Sequence, residues 1–328
     1  MPCLRKGGDP VPAKWLLWLL GLGLLAAVIV GALHMSEHEA VARAAARADP
    51  IRLVLALLLQ VATYPAQGEI WRRVGDAAGW RMSPRQAFEL SVAKVFADQA
   101  LPSGGVSSSV LVAKALHERR TPEAVVNAVV LINFTSYHLA YALALLPALI
   151  VVARRGETNP IVVLMAALFF LFSIGVSAAA MALAGRHRLR LRVPVGQMLL
   201  DRALRFVAAS DPRLMRGVPL LAQTIALQLV IVLLDAATMW LLVGALGPDA
   251  PPAGVFASFM IASLFRTMGV VPGGLGTFEA TSVWTLRMAG VPIRAGLGAT
   301  LLFRGLSFWM PMLPGYWFSR RVLTARRH

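Results

Sequence analysis

Several charged side chains stand inside long apolar stretches of this sequence, where an unpaired charge is costly. A cation in such a place can bind an anionic group, and a carboxylate can neutralise the cation or exchange a proton when no anion is bound. Each charge therefore predicts either a structural ion pair or a functional site, and both interpretations stay open. The candidates for substrate binding or transport are Asp98, Asp235, Arg266, Glu279 and Arg304.

Two of these charges flank a break in the apolar pattern, the stretch "RTMGVVPGGLGTFEAT". Pro272 interrupts a helix, whereas Gly273, Gly274 and Gly276 let the chain turn and expose backbone amides. A helix that begins after Gly276 would direct its positive dipole end toward a phosphate. Glu279 would then occupy the third helical position, where a carboxylate also stabilises a helix start without any ligand. The break predicts an anion-binding turn, a capped helix, or both.

The composition identifies the setting of these charges. Hydrophobic residues make up 58% of the 328 positions and charged residues only 15%, and the mean hydropathy is +0.68. A soluble core cannot use so many apolar residues, and strand-type alternation is absent. We therefore predict an all-α, polytopic membrane protein with a single transmembrane domain over residues 1–328. A spanning helix needs about 20 mostly apolar residues, and six runs qualify: about 15–34, 51–70, 124–152, 160–184, 217–247 and 293–318.

The first run follows Arg5, Lys6 and Lys14, as the apolar part of a signal peptide does. It exceeds the ~7 to 15 residues of that class, so we expect a retained first helix. Cys3 precedes this run and is the single cysteine of the chain, which excludes an intrachain disulfide.

The net charge of +16 would suit nucleic-acid binding, but in a membrane protein it is typical of positively charged cytoplasmic loops. With both termini inside, most basic loops fall in the cytoplasm, and Arg154 and Arg155 are the exception. We expect this N-in and C-in topology and no nucleic-acid partner. Residues 186–216 are too charged to cross; they predict a cytoplasmic amphipathic segment in the headgroup region or a solvated loop.

Two further apolar stretches, about 86–117 and 254–290, are each broken near the middle by proline and small residues. Each half has roughly 15 residues and is too short to cross alone, so each stretch predicts a re-entrant hairpin. A kinked full span is the alternative. Because three full spans lie between the hairpins, they should open to opposite faces of the membrane.

The two breaks share a spacing that suggests an internal repeat. Pro102 and Pro272 are 170 residues apart (272 − 102), and this offset aligns Gly104 with Gly274. Inverted repeats with broken helices are the architecture of secondary transporters, whose substrate sites lie where the repeats meet. We therefore add Pro102 and Gly104 to the candidate site and predict repeats over about 51–152 and 217–318.

Polar residues also recur at helical spacing in three of the predicted spans. Such stripes form interhelical hydrogen bonds or line a wet cavity, and three together favour a cavity. Lys94 and Asp98, four residues apart on one helical face, can satisfy each other. The stripes are Gln60, Tyr64 and Gln67; Asn133, Tyr137 and Tyr141; and Gln228 with Asp235.

At "VPGGLGTFE", with "LPSGGVSSSVLVAKAL" upstream, the chain resembles the flippase-like integral membrane family that includes the transmembrane region of lysylphosphatidylglycerol synthase. The resemblance covers about residues 50–325. It implies a bacterial inner-membrane protein that moves an anionic or lysyl-type phospholipid, or a related polyprenyl or hopanoid lipid. It also implies that Pro272, the three glycines and Glu279 line the lipid-handling site, with Arg266 and Arg304 nearby. Because no soluble transferase domain follows, aminoacyl transfer is not expected.

An alternative function belongs to another class: an enzyme or accessory subunit that acts on a lipid-linked sugar or phosphate at the membrane face. The sequence contains neither a phosphate-binding loop nor a dinucleotide fingerprint, and its histidines form no zinc motif. We therefore expect no cofactor, no metal and no catalytic residue. The expected partners are membrane lipids, and a homo-oligomer or a complex with lipid-modifying enzymes stays open.

Overall fold

The computed structural model of the protein describes residues 48–100, 106–118, 121–156, 159–184, 204–247, 249–268 and 272–324. Four sequence predictions lie outside these residues: the first span, Cys3, most of the segment 186–216, and the break at Pro102 and Gly104.

The described residues form helices, and none of them lies in a strand. α1, α4, α5 and α7 are long and apolar enough to cross a membrane, which confirms the helical membrane class. In chain order the helices are α1 (Pro50–Ala77), α2 (Pro84–Ala100), α3 (Val106–His117), α4 (Glu123–Arg154), α5 (Pro160–Leu183), α6 (Pro212–Met215), α7 (Val218–Leu246), α8 (Pro252–Met268), α9 (Thr277–Met288), α10 (Ile293–Arg304) and α11 (Met312–Thr324).

Local signals explain where the long helices begin. Asp49 caps α1 by accepting a hydrogen bond from the Ile51 amide at 2.9 Å, and Asn159 caps α5 through the Ile161 amide at 2.8 Å. In both helices a proline occupies the first helical position, where its missing N–H costs nothing.

The sixth predicted span is helical but is not one continuous α-helix. It consists of α10, a π-helix over Gly305–Trp309, and α11. Pro311 and Pro314 lack amide hydrogens and cannot complete an α-helical ladder, so the chain changes its hydrogen bonding just before them. The run predicted over 293–318 is therefore helical but divided into three segments.

The second predicted hairpin turns back on itself. Ser258, near the start of α8, lies 2.6 Å from Thr285, near the end of α9, measured between their hydroxyl oxygens. A kinked full span would hold these two residues at opposite ends, whereas antiparallel halves bring them together. α2 and α3 likewise pack against each other. The structure therefore has two pairs of half-length helices, as the sequence predicts.

The first helices of the two predicted repeats pack antiparallel. At one end of α1, Arg52 Nη1 donates to the Gly244 carbonyl near the end of α7, at 2.8 Å. At the other end, Arg73 Nη1 donates to Gln223 Oε1 near the start of α7, at 2.9 Å. α1 and α7 are the first helices of the two repeats, so their antiparallel packing is the relation that an inverted repeat requires.

Helix boundaries repeat at nearly the predicted offset. The starts of α1 and α7 differ by 168 residues (218 − 50), as do those of α2 and α8; α3 and α9 differ by 171, and α4 and α10 by 170. The packing repeats as well, because α4 packs on α8 while α11 packs on α2. Each hairpin therefore packs against the last span of the other predicted repeat.

Two apolar cores hold the hairpins, and a polar layer separates them. One core surrounds α2 and α3, and the other surrounds α8 and α9. Along α1, Ala56 belongs to one core and Ile70 to the other, while Gln60, Tyr64 and Gln67 lie between them. The candidate site must therefore be sought in this middle layer.

Candidate functional site

Three amides join the spans in the polar layer. Asn133 of α4 accepts hydrogen bonds from Gln67 of α1 at 3.1 Å and from Gln228 of α7 at 3.4 Å. The three predicted stripes are thus brought together in the layer between the two apolar cores. These side-chain amides satisfy part of one another's hydrogen-bonding capacity, which lets polar side chains lie in a membrane interior.

The next contact along the layer leaves polar atoms without partners. Gln60 Nε2 donates to Asp235 Oδ1 at 3.1 Å. Gln60 Oε1 and the Tyr64 hydroxyl are buried, and no group of the described residues forms a hydrogen bond with them. Buried polar atoms are normally satisfied by protein, water or ligand, so these two favour a wet or ligand-binding interior.

Arg266 reaches into the same layer from the end of α8. Its Nη2 donates to the Tyr141 hydroxyl at a long 3.4 Å, and its buried Nε has no hydrogen-bond partner among the described residues. The carboxylates of Asp235 and Asp98 are close enough to stabilise its charge, yet neither forms an ion pair with it in the described part of the chain. Arg266 is therefore a partly buried cation with unused donors.

The glycine-rich turn is shaped around this arginine. Gly274 has φ +65°, and a side chain there would collide with the aliphatic stem of Arg266. Gly273, at φ +58°, lies against the ring of Phe308 in the same way. The two glycines are required both by their backbone conformation and by the close approach of these side chains.

Glu279 and Arg304 form a buried ion pair beside the turn, with 2.7 Å between Oε1 and Nε. The other carboxylate oxygen of Glu279 accepts the Gly276 amide hydrogen at 2.6 Å, and Arg304 Nη2 donates to the Gly273 carbonyl at 2.9 Å. The guanidinium also lies 4.5 Å from the ring centroid of Phe308, a favourable cation–π distance.

This geometry bears on both interpretations of Glu279. The residue caps α9, so its own carboxylate occupies the amide that the sequence offers to a phosphate. Arg304 pairs with Glu279 and not with Asp235. A role for either residue in substrate binding stays a prediction. Pro272 is the first residue of a short 3-10 helix in the turn, and its role in substrate binding also stays a prediction.

The first hairpin contributes one more charged pair. Lys94 Nζ lies 2.8 Å from Asp98 Oδ2, as the spacing predicts. Asp98 Oδ1 is buried without a hydrogen-bond partner in the described residues. The neighbouring Gln99, which was not among the predicted site residues, donates to the Ser307 carbonyl of the π-helix at 2.8 Å. Its position next to Asp98 was the only available signal.

The layer can bind an anion but lacks the ligands of a metal centre. Among the described residues, no three His, Cys, Asp or Glu side chains come together as metal ligands. Arg266 can donate to a phosphate or carboxylate in the forked geometry that guanidinium groups favour. Asp235 and Asp98 provide negative charge nearby, which compensates Arg266 when no anion is present.

The comparison with known families agrees with the fold and with these motifs. The family described as the lysylphosphatidylglycerol synthase transmembrane region matches residues 18–315, which include both hairpins and the whole polar layer. No curated protein sequence matches the chain. The family match covers most of the chain, and the protein therefore belongs to the family of the lysylphosphatidylglycerol synthase transmembrane region.

Proposed function

We propose that this protein transports a phospholipid across a membrane and that Arg266 binds the anionic part of the lipid headgroup. Membership of a lipid-related membrane family supports the substrate class. The observation that carries the proposal is the state of Arg266: a partly buried guanidinium with unused donors, placed where the two repeats meet.

The headgroup enters the polar layer while the acyl chains stay in the hydrocarbon. Arg266 binds the phosphate. The Tyr141 hydroxyl lies 3.4 Å from Arg266 Nη2 and stays beside the bound phosphate. Gln60 and Tyr64 supply polar atoms that have no partner among the described residues. These groups replace part of the water that a headgroup loses on entering the membrane.

The empty site needs negative charge, because an uncompensated cation at mid-depth is costly. Asp235 and Asp98 approach Arg266 from α7 and from the first hairpin. The headgroup and the two carboxylates therefore compete for the same cation. A lipid that leaves is replaced by these side chains, which lowers the cost of returning to the empty state.

Glu279 and Arg304 act on the turn and leave substrate binding to Arg266. Their pair closes the turn by binding the Gly276 amide and the Gly273 carbonyl. Because Gly274 packs on the stem of Arg266, a rigid turn fixes the direction of that side chain. We assign this pair a positioning role.

We place the protein in the bacterial inner membrane with both termini in the cytoplasm, and the distribution of basic residues supports this orientation through the positive-inside rule. One face of the protein contains the C-terminal end of α1. The helix termini on this face carry more arginine and lysine residues than the helix termini on the opposite face. On the first face lie Arg72, Arg73, Arg81, Arg85, Lys114, Arg205, Arg213, Arg216, Arg320 and Arg321; on the other lie Arg52, Arg154, Arg155, Arg287 and Arg294.

Purified protein in sealed proteoliposomes tests the proposal. Tail-labelled phosphatidylglycerol and phosphatidylcholine are incorporated, and a quencher added outside reports lipid that has moved outward. We expect protein-dependent movement and an unchanged headgroup by mass spectrometry. A covalently modified headgroup would support the alternative enzyme, and an absence of movement with folded protein would refute transport by this chain alone.

A further inference from the structure

A groove that is open to the surface lies between α4, α5 and the second hairpin. We propose that it is a second lipid site, in which one membrane phospholipid lays an acyl chain along the groove and places its phosphate on Arg155. The site lies at the open end of the second hairpin, away from the polar layer that binds the transported headgroup.

The walls of the groove suit a hydrocarbon chain. Val151 of α4, Val162 of α5, Ile261 of α8 and Trp284 of α9 supply apolar surface. Trp284 is 45% exposed at the rim, so the groove opens sideways. In a protein that spans a membrane, the molecules at such an opening are lipids, and an acyl chain is the occupant whose chemistry matches these walls.

A single cation stands at the mouth of the groove. Arg155 follows the last residue of α4, and a Cβ atom on Gly254 would lie only 2.8 Å from its Nη2. Asp249, on the same face, is bound to Arg52 at 2.6 Å. No carboxylate of the described residues pairs with Arg155, so its charge is available to a phosphate.

The polar atoms deeper in the groove cannot take the phosphate. The Ser258 and Thr285 hydroxyls lie 2.6 Å apart, and each also has a carbonyl acceptor inside the hairpin: Ser282 O for Ser258 at 3.4 Å and Thr281 O for Thr285 at 2.7 Å. Both hydroxyl hydrogens are thereby used inside the hairpin. Without free donors at the floor, the phosphate is directed to Arg155 at the mouth and the chain to the interior.

The groove is independent of Arg266. Ser258 lines the groove and lies eight residues before Arg266 on α8, which corresponds to about 12 Å along the helix. Substitutions at the mouth can therefore remove lipid binding without touching the polar layer. Because the two sites are separate, a negative result for lipid binding in the groove would not contradict the proposed transport function.

The test is phosphatidylglycerol binding to delipidated full-length protein in detergent, measured by native mass spectrometry. Arg155→Ala removes the cation, and Val151→Trp fills the groove. The matched controls are Arg154→Ala, the adjacent exposed arginine, and Ile150→Trp, which is 53% exposed on the same helix. We expect both groove variants to bind about ten-fold more weakly than wild type and both controls to bind like wild type.

Wild-type affinity in both groove variants would overturn the site, and so would equal losses in the controls. If one groove variant unfolds at a lower temperature than wild type, the other still decides, because the two act on different parts of the site. A second readout uses Trp284: phosphatidylglycerol with brominated chains should quench wild type more than Trp284→Phe at low lipid-to-protein ratios. Equal quenching in these two proteins would contradict an acyl chain in the groove.

Discussion

At the scale of single residues, Arg266 and Arg304 differ in how many of their guanidinium donors have hydrogen-bond partners. Arg304 is bound by the Glu279 carboxylate and the Gly273 carbonyl. Arg266 has one long hydrogen bond to Tyr141 and a buried Nε without a partner in the described residues. The fold thus completes the coordination of one cation and leaves the other open, which is the physical basis for assigning them different roles.

Removing one member of the buried pair should destabilise the protein. Glu279→Gln or Arg304→Met leaves an uncompensated charge, and we expect each to lower the free energy of unfolding by about 3–5 kcal/mol. The double variant removes both charges and should lose less than the sum of the single losses. Unfolding in mixed micelles measures these values. Strictly additive losses would mean that the two side chains do not stabilise each other.

Gly274 allows a second residue-scale prediction, with Gly290 as its control. Both have positive φ values, +65° and +89°, but only Gly274 has a neighbour that an added Cβ would strike, namely Arg266. Alanine at either position costs about 1–2 kcal/mol of backbone strain. We expect Gly274→Ala alone to lower lipid transport as well, because it displaces Arg266. Equal transport rates in the two variants would show that the turn does not position Arg266.

Sequence reasoning found most charged members of the site but could not choose between their possible partners: Arg304 and Asp235 could pair with each other, or with Glu279 and Arg266. Asp98 and Lys94 were predictable as a pair because helical spacing brings residues four apart together. The pairing of Arg304 with Glu279 depends on how α10 packs against α9, and the donors left unused on Arg266 depend on which side chains fail to reach it. Such long-range contacts leave no local pattern in the sequence.

At the scale of elements, the half-length helices were predictable because proline and glycine break the apolar runs. The segmentation after Arg304 was not predicted, because the apolar run of 293–318, which contains Pro311 and Pro314, is continuous in the sequence. α4 contains Pro147 and still runs unbroken over Glu123–Arg154. Proline alone therefore does not determine whether a span stays continuous; the packing around it does.

The hairpin itself can be tested by cross-linking. In a Cys3→Ser background, Ser258→Cys with Thr285→Cys should form a disulfide on mild oxidation, because their side-chain oxygens are 2.6 Å apart and disulfides require close Cβ atoms. A control pair, Ser258→Cys with Ser319→Cys, joins α8 to a helix that packs on the first hairpin and should stay reduced. Mass spectrometry of linked peptides reads the result. A kinked full span would leave both pairs reduced.

On the scale of the whole molecule, the two predicted repeats have similar helix arrangements but different side chains at corresponding positions of the polar layer. The starts of α2 and α8 differ by 168 residues, which places Asp98 at the position that corresponds to Arg266; those of α4 and α10 differ by 170, which places Phe134 at the position of Arg304. The second repeat therefore carries two cations whose counterparts in the first repeat are an acidic and an aromatic residue. We infer that the two faces of the polar layer are not equivalent, although the helices around them are.

The inverted repeat predicts which turns face which side of the membrane. Gly79 and Gly290 are both exposed turn residues with open space around them, and three spans separate their hairpins. We expect Gly290→Cys to react with an impermeant maleimide on intact cells, and Gly79→Cys to react only after permeabilisation. Labelling of both residues from one face would contradict opposite hairpins. The reverse pattern would keep the repeat but invert the proposed topology.

The most direct test of the central claim compares lipid movement in proteoliposomes containing wild-type protein, Arg266→Gln or the control Arg287→Gln. Arg287 is exposed near the end of α9 and has no place in the proposed path. We expect Arg266→Gln to slow phosphatidylglycerol movement about ten- to hundred-fold, the loss of a charge-assisted contact, while Arg287→Gln moves lipid at the wild-type rate. Unchanged movement in folded Arg266→Gln would contradict the claim that this arginine binds the headgroup.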